Sequence, residues 1–179
     1  MFHVKQKSYD IVVVGAGHAG VEAATMASRL GLKVAIVTFN SSDFGTLSCN
    51  PAMGGLGKGH LIKEIDALGG LIGVASDMSG IQFRVLNKTR GAAVQGPRAQ
   101  IDRNLYRKNM FKLISEEKVE IILDEVEDII TVNEGKKNIL TSITLSKLGN
   151  VKCNAIVVTT GTFLSGRILE VMKHGKLDV

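Results

Sequence analysis

Residues 9–20 read YDIVVVGAGHAG, and the fold of the chain turns on this stretch. Ile11–Val14 is an unbroken apolar run that stops abruptly at Gly15. Strands buried on both faces read this way, because neither face alternates with water. Val21–Leu30 (VEAATMASRL) follows, rich in alanine and other helix formers, with Gly31 where a helix C-cap sits. Lys33–Phe39 (KVAIVTF) is a second short run with β-branched residues. Strand, helix and strand within roughly 30 residues form a βαβ unit, with a right-handed crossover and two parallel strands.

Gly15, Gly17 and Gly20 make the pattern GxGxxG between that strand and that helix, which is its required setting. The first glycine permits a tight turn, the second lets the backbone approach a pyrophosphate, and the third allows close helix–strand packing. The amides and dipole of the helix start then attract phosphate. The reading is a dinucleotide site. Its usual acidic residue, about 20 positions on, is absent. The second strand ends at Thr38, Phe39 and Asn40, and the next carboxylate is Asp43. Thr38 or Asn40 can hydrogen-bond a ribose in its place or act as turn residues, so this position does not choose between FAD and NAD.

The 179 residues amount to one domain, and 45% hydrophobic with 22% charged residues is the balance of a globular one. No run reaches the roughly 18 apolar residues of a membrane helix, and MFHVKQKSYD lacks a signal-peptide core. A cytoplasmic location is the expectation. Aromatic residues are scarce at 4%, which argues against a stacking platform for single strands. The net charge of +5 is modest and fits a solvated surface. Cys49 and Cys153 form no CxxC pair and no zinc spacing, so no metal site is indicated.

Asn40–Gly59, with five glycines, reads as a long loop facing a ligand. His60–Leu68 places Leu61, Ile62, Ile65 and Leu68 at helical spacing, and Ile81–Leu86 reads as a strand. Arg98–Lys118 reads as one amphipathic helix, with Ile101, Leu105, Tyr106, Met110, Leu113 and Ile114 inward. Four strand-like runs follow, at 120–123, 126–132, 138–145 and 151–159. The middle two suggest a small antiparallel excursion, and Ala155–Gly161 a return to the parallel sheet. The fold class is therefore α/β.

Cys49 lies in SCNPAMGG, where Pro51 suits the first position of a short helix. A thiol near a helix N-terminus is an activated nucleophile; the alternative is a small buried hydrophobe. Cys153, before an apolar strand, reads as core. His18, inside the glycine turn, faces a phosphate or covers the helix start, and a backbone role is favoured. Lys58, Arg84, Lys88, Arg90 and Arg98 cluster around glycine-rich stretches, compatible with phosphates of a cofactor or of RNA.

GAGHAG (Gly15–Gly20), SCNPAMGGLGKGHLIKEIDALGG (Ser48–Gly70), IQFRVLNKTRGAAVQGPRAQIDR (Ile81–Arg103) and VTTGTFLSG (Val158–Gly166) together resemble the N-terminal part of the MnmG (GidA) family. The resemblance implies a Rossmann-type, glutathione-reductase-like FAD-binding domain. It implies modification of the wobble uridine of certain transfer RNAs, with an aminomethyl or carboxymethylaminomethyl group added at carbon five. It implies NADH and methylene-tetrahydrofolate as co-substrates, an MnmE-type GTPase as partner, and a homodimer. Position by position, Gly15, Ala16, Gly17, His18, Ala19 and Gly20 match the FAD pyrophosphate loop, and Val126 the position whose backbone meets the adenine end. Cys49 matches a cysteine implicated in catalysis, as a nucleophile towards uracil or an acid–base group.

The sequence departs from the family at Ala92, where proline is usual, and beyond Ile168. The expected organisation is therefore a cofactor domain over residues 1–168 and a divergent tail over 169–179. Family members are several times longer, so the expectation is a portion incomplete for tRNA modification alone. The alternatives are a free-standing FAD module that acts with a separately encoded remainder, and a small NAD-dependent oxidoreductase.

Overall fold

The apolar run after Lys7 forms strand β1 (Ser8–Val14), and the alanine-rich segment forms helix α1 (His18–Arg29). These elements belong to a computed structural model that describes residues 7–135 and 137–161. Strand β2 (Val34–Thr38) pairs parallel with β1, as the βαβ reading requires. All five β2 side chains are buried, which is why its sequence does not alternate. Strand β6 (Val119–Leu123) pairs parallel with β2 on its other side.

Strands β7 (Val126–Glu134) and β8 (Lys137–Leu145) and the first part of β9 (Gly149–Val158) are the antiparallel excursion. The rest of β9 pairs parallel with β1, giving a six-stranded sheet in the order β6-β2-β1-β9-β8-β7. Strand alternation divides the core. Val13, Val34 and Ile36 pack with Val21 and Ala24 of α1, whereas Val12, Ala35 and Val37 pack with Ile143, Leu145, Val151 and Cys153. Cys153 is a core residue, as its strand context suggested.

The region between Asn40 and Ile101 is more structured than its glycines suggest. It holds a 3-10 turn (Ser41–Asp43), strand β3 (Ala52–Gly54), helices α2 (Lys58–Ala67) and α3 (Leu71–Asp77), strand β4 (Gly80–Leu86) and a second 3-10 turn (Ala92–Val94). Residues 98–101 are not the start of a helix, contrary to the periodicity. They lie in strand β5 (Gly96–Ile101), which pairs antiparallel with β3 on one side and β4 on the other. Helix α4 (Arg103–Glu116) begins only after Asp102, whose carboxylate accepts from the amides of Asn104 and Leu105. Tyr106, Met110 and Ile114 are its buried stripe; Leu105 is exposed. Among the described residues no helix is long and apolar enough to cross a membrane.

Candidate functional site

The glycine loop joins β1 to α1 at the carboxyl end of the parallel strands, and each of its glycines does a different task. Gly15 has φ of 101°, the left-handed region that side chains avoid. A Cβ on Gly20 would meet the Gly15 carbonyl oxygen at 1.9 Å, so only glycine allows the helix to pack this close. A Cβ on Gly17 would meet nothing within 4 Å. That open space lies at the N-cap of α1, which has no side-chain cap, so the first helical amides have no intrahelical acceptor. A pyrophosphate fits this cradle in charge, hydrogen bonding and space.

Thr159, just past β9, locks the loop. Its amide donates to the Val14 carbonyl at 2.8 Å, and its hydroxyl donates to the carbonyls of Val14 at 2.8 Å and Gly15 at 3.2 Å. The sequence suggests a return to the parallel sheet at Ala155–Gly161 but does not single out this residue. The signal was the VTTG run one strand away from GAGHAG in the sheet.

At the end of β2 the missing acidic residue is replaced by a fold-back. The 3-10 turn returns Asp43 so that one carboxylate oxygen accepts from the Thr38 hydroxyl and the Asn40 amide, each at 2.8 Å. Val126 opens β7 beyond the end of β6. It pairs with Leu145 and packs on the cluster that contains Val37 and Ile122.

His18 carries more than backbone. Its ring lies 5.7 Å from that of Tyr106 at 49°, and its buried Nε2 has no partner among the described residues. Burial, assisted by the charge of Lys58, pulls its pKa down to about 4, so it is neutral at pH 7. Tyr106 is fully buried, and burial pushes its phenol up.

Cys49 is exposed, and it does not sit at a helix N-terminus. Pro51 leads into β3 rather than a helix, because the Ile101 amide donates to the Pro51 carbonyl and Ala52 pairs with Gln100. The helix-dipole argument for its thiol therefore does not apply. The surroundings are cationic instead: Arg103 donates from Nη2 to the Cys49 carbonyl at 2.5 Å, and Lys58 lies close enough to Cys49 to interact with it electrostatically. Lys58, first residue of α2, donates from Nζ to the Ala52 carbonyl at 3.1 Å. Burial is the main reason its ammonium is held below the usual lysine range, and Arg98 adds to it. Lys58 thus ties His18 of the glycine loop to the Cys49 segment. No cluster of metal-ligating side chains occurs among the described residues.

The family model for glucose inhibited division protein A matches residues 10–177, a span that runs into the residues set apart as a divergent tail. The chain is similar to GidA of Aquifex aeolicus in its form II crystal, with 46% identity and a TM-score of 0.81 over 91% of this chain. The form I crystal gives 46% identity and a TM-score of 0.82 over 88% of this chain. In both cases the match spans 26% of the Aquifex chain, so this sequence corresponds to about a quarter of that relative. Pseudomonas aeruginosa PqsL shares the fold at 17% identity and a TM-score of 0.64, over 87% of this chain and 44% of its own. With the family model covering almost the whole sequence and two GidA structures superposing on it at 46% identity, this chain belongs to the glucose inhibited division protein A (GidA) family.

Proposed function

We propose that this chain is the FAD-binding N-terminal portion of a flavoenzyme that adds an aminomethyl or carboxymethylaminomethyl group to carbon five of the wobble uridine in certain transfer RNAs. The observation that supports the cofactor is the combination at the glycine loop: open space at Gly17 beside uncapped helical amides, with Gly15 and Gly20 required by the backbone. Gly15, Ala16, Gly17, His18, Ala19 and Gly20 would hold the pyrophosphate, and Val126 the adenine end. When bound, the flavin supplies redox chemistry, with NADH as reductant and methylene-tetrahydrofolate as one-carbon donor in the whole enzyme. Neutral His18 adds no positive charge of its own, so phosphate binding would rest on the backbone amides of the loop and helix start. Exposed Cys49 is available to the uracil ring as nucleophile or acid–base group.

Family membership supports the transfer RNA reading. In the same reading the whole enzyme is a cytoplasmic homodimer that works with an MnmE-type GTPase. The test is a visible absorption spectrum of the purified chain after incubation with FAD and gel filtration. Retained flavin bands are expected; a colourless, folded protein would overturn the cofactor assignment.

A further inference from the structure

Arg84 and Arg98 are direct register partners across the antiparallel β4–β5 pair. Like charges placed opposite each other in a sheet repel and destabilise it. Among the described residues, no carboxylate lies within ion-pair distance of either guanidinium. Strand alternation puts Gln82, Arg84 and Leu86 on one face of the small sheet, with Gln100 and Arg98 opposite them. These five residues line a cleft of about 230 Å³. Phe83, Val85, Pro97 and Ala99 alternate with them and line a larger groove, which Arg84 and Arg98 also border and where Asp66 and Asp77 lie. On the β3 side, Arg98 is in register with Gly54, which carries no side chain.

We infer that the Arg84–Arg98 pair is a phosphate-binding site on the β4–β5 face, one that takes a phosphodiester of a nucleic-acid strand. Guanidinium forks match phosphate oxygens in pairs, and an anion between them turns the repulsion into attraction. The glutamine amides supply neutral donors beside it. The cleft is below the roughly 300 Å³ at which sites begin to enclose a whole small ligand, so it suits one phosphate group rather than a nucleotide. The positive charge also continues past the cleft. Lys88 and Arg90 follow β4 on a loop held by Gln95, whose Nε2 donates to the Lys88 carbonyl at 3.3 Å and the Arg90 carbonyl at 2.8 Å. Successive cations along one track fit successive phosphates of a strand. The site stands on the sheet geometry; naming a polynucleotide as the source rests on the function proposed above.

The test compares the chain with Arg84→Gln, Arg98→Gln and, as a control on α4, Arg107→Gln. In chloride buffer the first two variants are expected to melt at or above the parent, because the repulsion is gone. Adding inorganic phosphate should raise the melting temperature of the parent and the control but not of those two. Binding of a short labelled RNA stem-loop, read by anisotropy, should weaken about tenfold in each, with a salt slope shallower by about 1. FAD retention should be unchanged. Equal stabilisation of all four proteins by phosphate would overturn the site, as would an equal RNA loss in Arg107→Gln. Loss of FAD in Arg84→Gln or Arg98→Gln would assign the pair to the cofactor and overturn the inference. A phosphate response without an RNA effect would overturn the strand as source. A parent that binds no FAD yet gives the expected RNA pattern supports this site while overturning the cofactor reading.

Discussion

The Glu22 carboxylate of α1 accepts hydrogen bonds from the Leu71 amide at 2.9 and 3.0 Å, and from the next amide, Ile72, at 2.6 Å. Helix α3 thus takes its N-terminal cap from another helix. Its own N-cap, Gly70, has no side chain, and a Cβ there would meet a Glu22 oxygen at 2.5 Å. Replacing Glu22 with Ala orphans both amides and is expected to cost about 1–2 kcal/mol in urea unfolding. Glu22→Gln keeps an acceptor and should cost less than half as much. Equal losses would show that the cap does not hold α3.

The three glycines of the loop should separate by substitution. Gly17→Ala meets open space at an ordinary φ, so its melting temperature should stay within about 2 °C of the parent while FAD retention falls. Gly20→Ala drives a Cβ into the Gly15 carbonyl and should destabilise the fold by about 2 kcal/mol or more. Gel filtration, flavin absorbance and thermal melting distinguish the two; a Gly17→Ala protein that keeps its flavin would refute the cradle.

His18 gives the loop a pH dependence of definite sign. Its folded pKa, about 4, lies below the unfolded value of 6.5, so the unfolded chain binds the proton first as pH falls. Its contribution to stability is complete above pH 6.5 and declines steadily down to pH 4. Burial holds the Glu22 carboxyl above its usual range, which acts in the opposite direction, so the comparison must be differential. His18→Gln should lose less stability than the parent between pH 6.5 and 4; parallel profiles would count against a buried neutral imidazole.

The two thiols should react unequally. Cys49 is exposed, whereas Cys153 of β9 is 3% exposed and packs in the core with Ile143, Leu145 and Val151. Iodoacetamide under native conditions is expected to add one carbamidomethyl group, at Cys49, by peptide mass spectrometry. Cys49→Ser should leave thermal stability within about 0.5 kcal/mol, since the side chain fills no core space. Modification of Cys153 at a comparable rate would mean that the β7–β9 layer opens readily.

The sequence by itself determined the βαβ unit, the glycine loop and the return of β9 to the parallel sheet. Each is written in a short window: two unbroken apolar runs, one alanine-rich helix, and glycines whose absent Cβ is itself the structural fact. Only the tertiary structure decided the region from Asn40 to Asp102. The apolar spacing around Ile101 suits a helix, yet residues 98–101 form strand β5 because β3 and β4 offer hydrogen-bonding partners on both sides. The same pairing set Cys49 in a bend rather than at a helix start and brought Arg84 opposite Arg98, 14 positions later in the chain. The fold-back of Asp43 onto Thr38 and the capping of α3 by Glu22 are likewise decided by chain return. A local window records periodicity and backbone freedom; strand register and borrowed caps depend on which distant segment completes the hydrogen bonds.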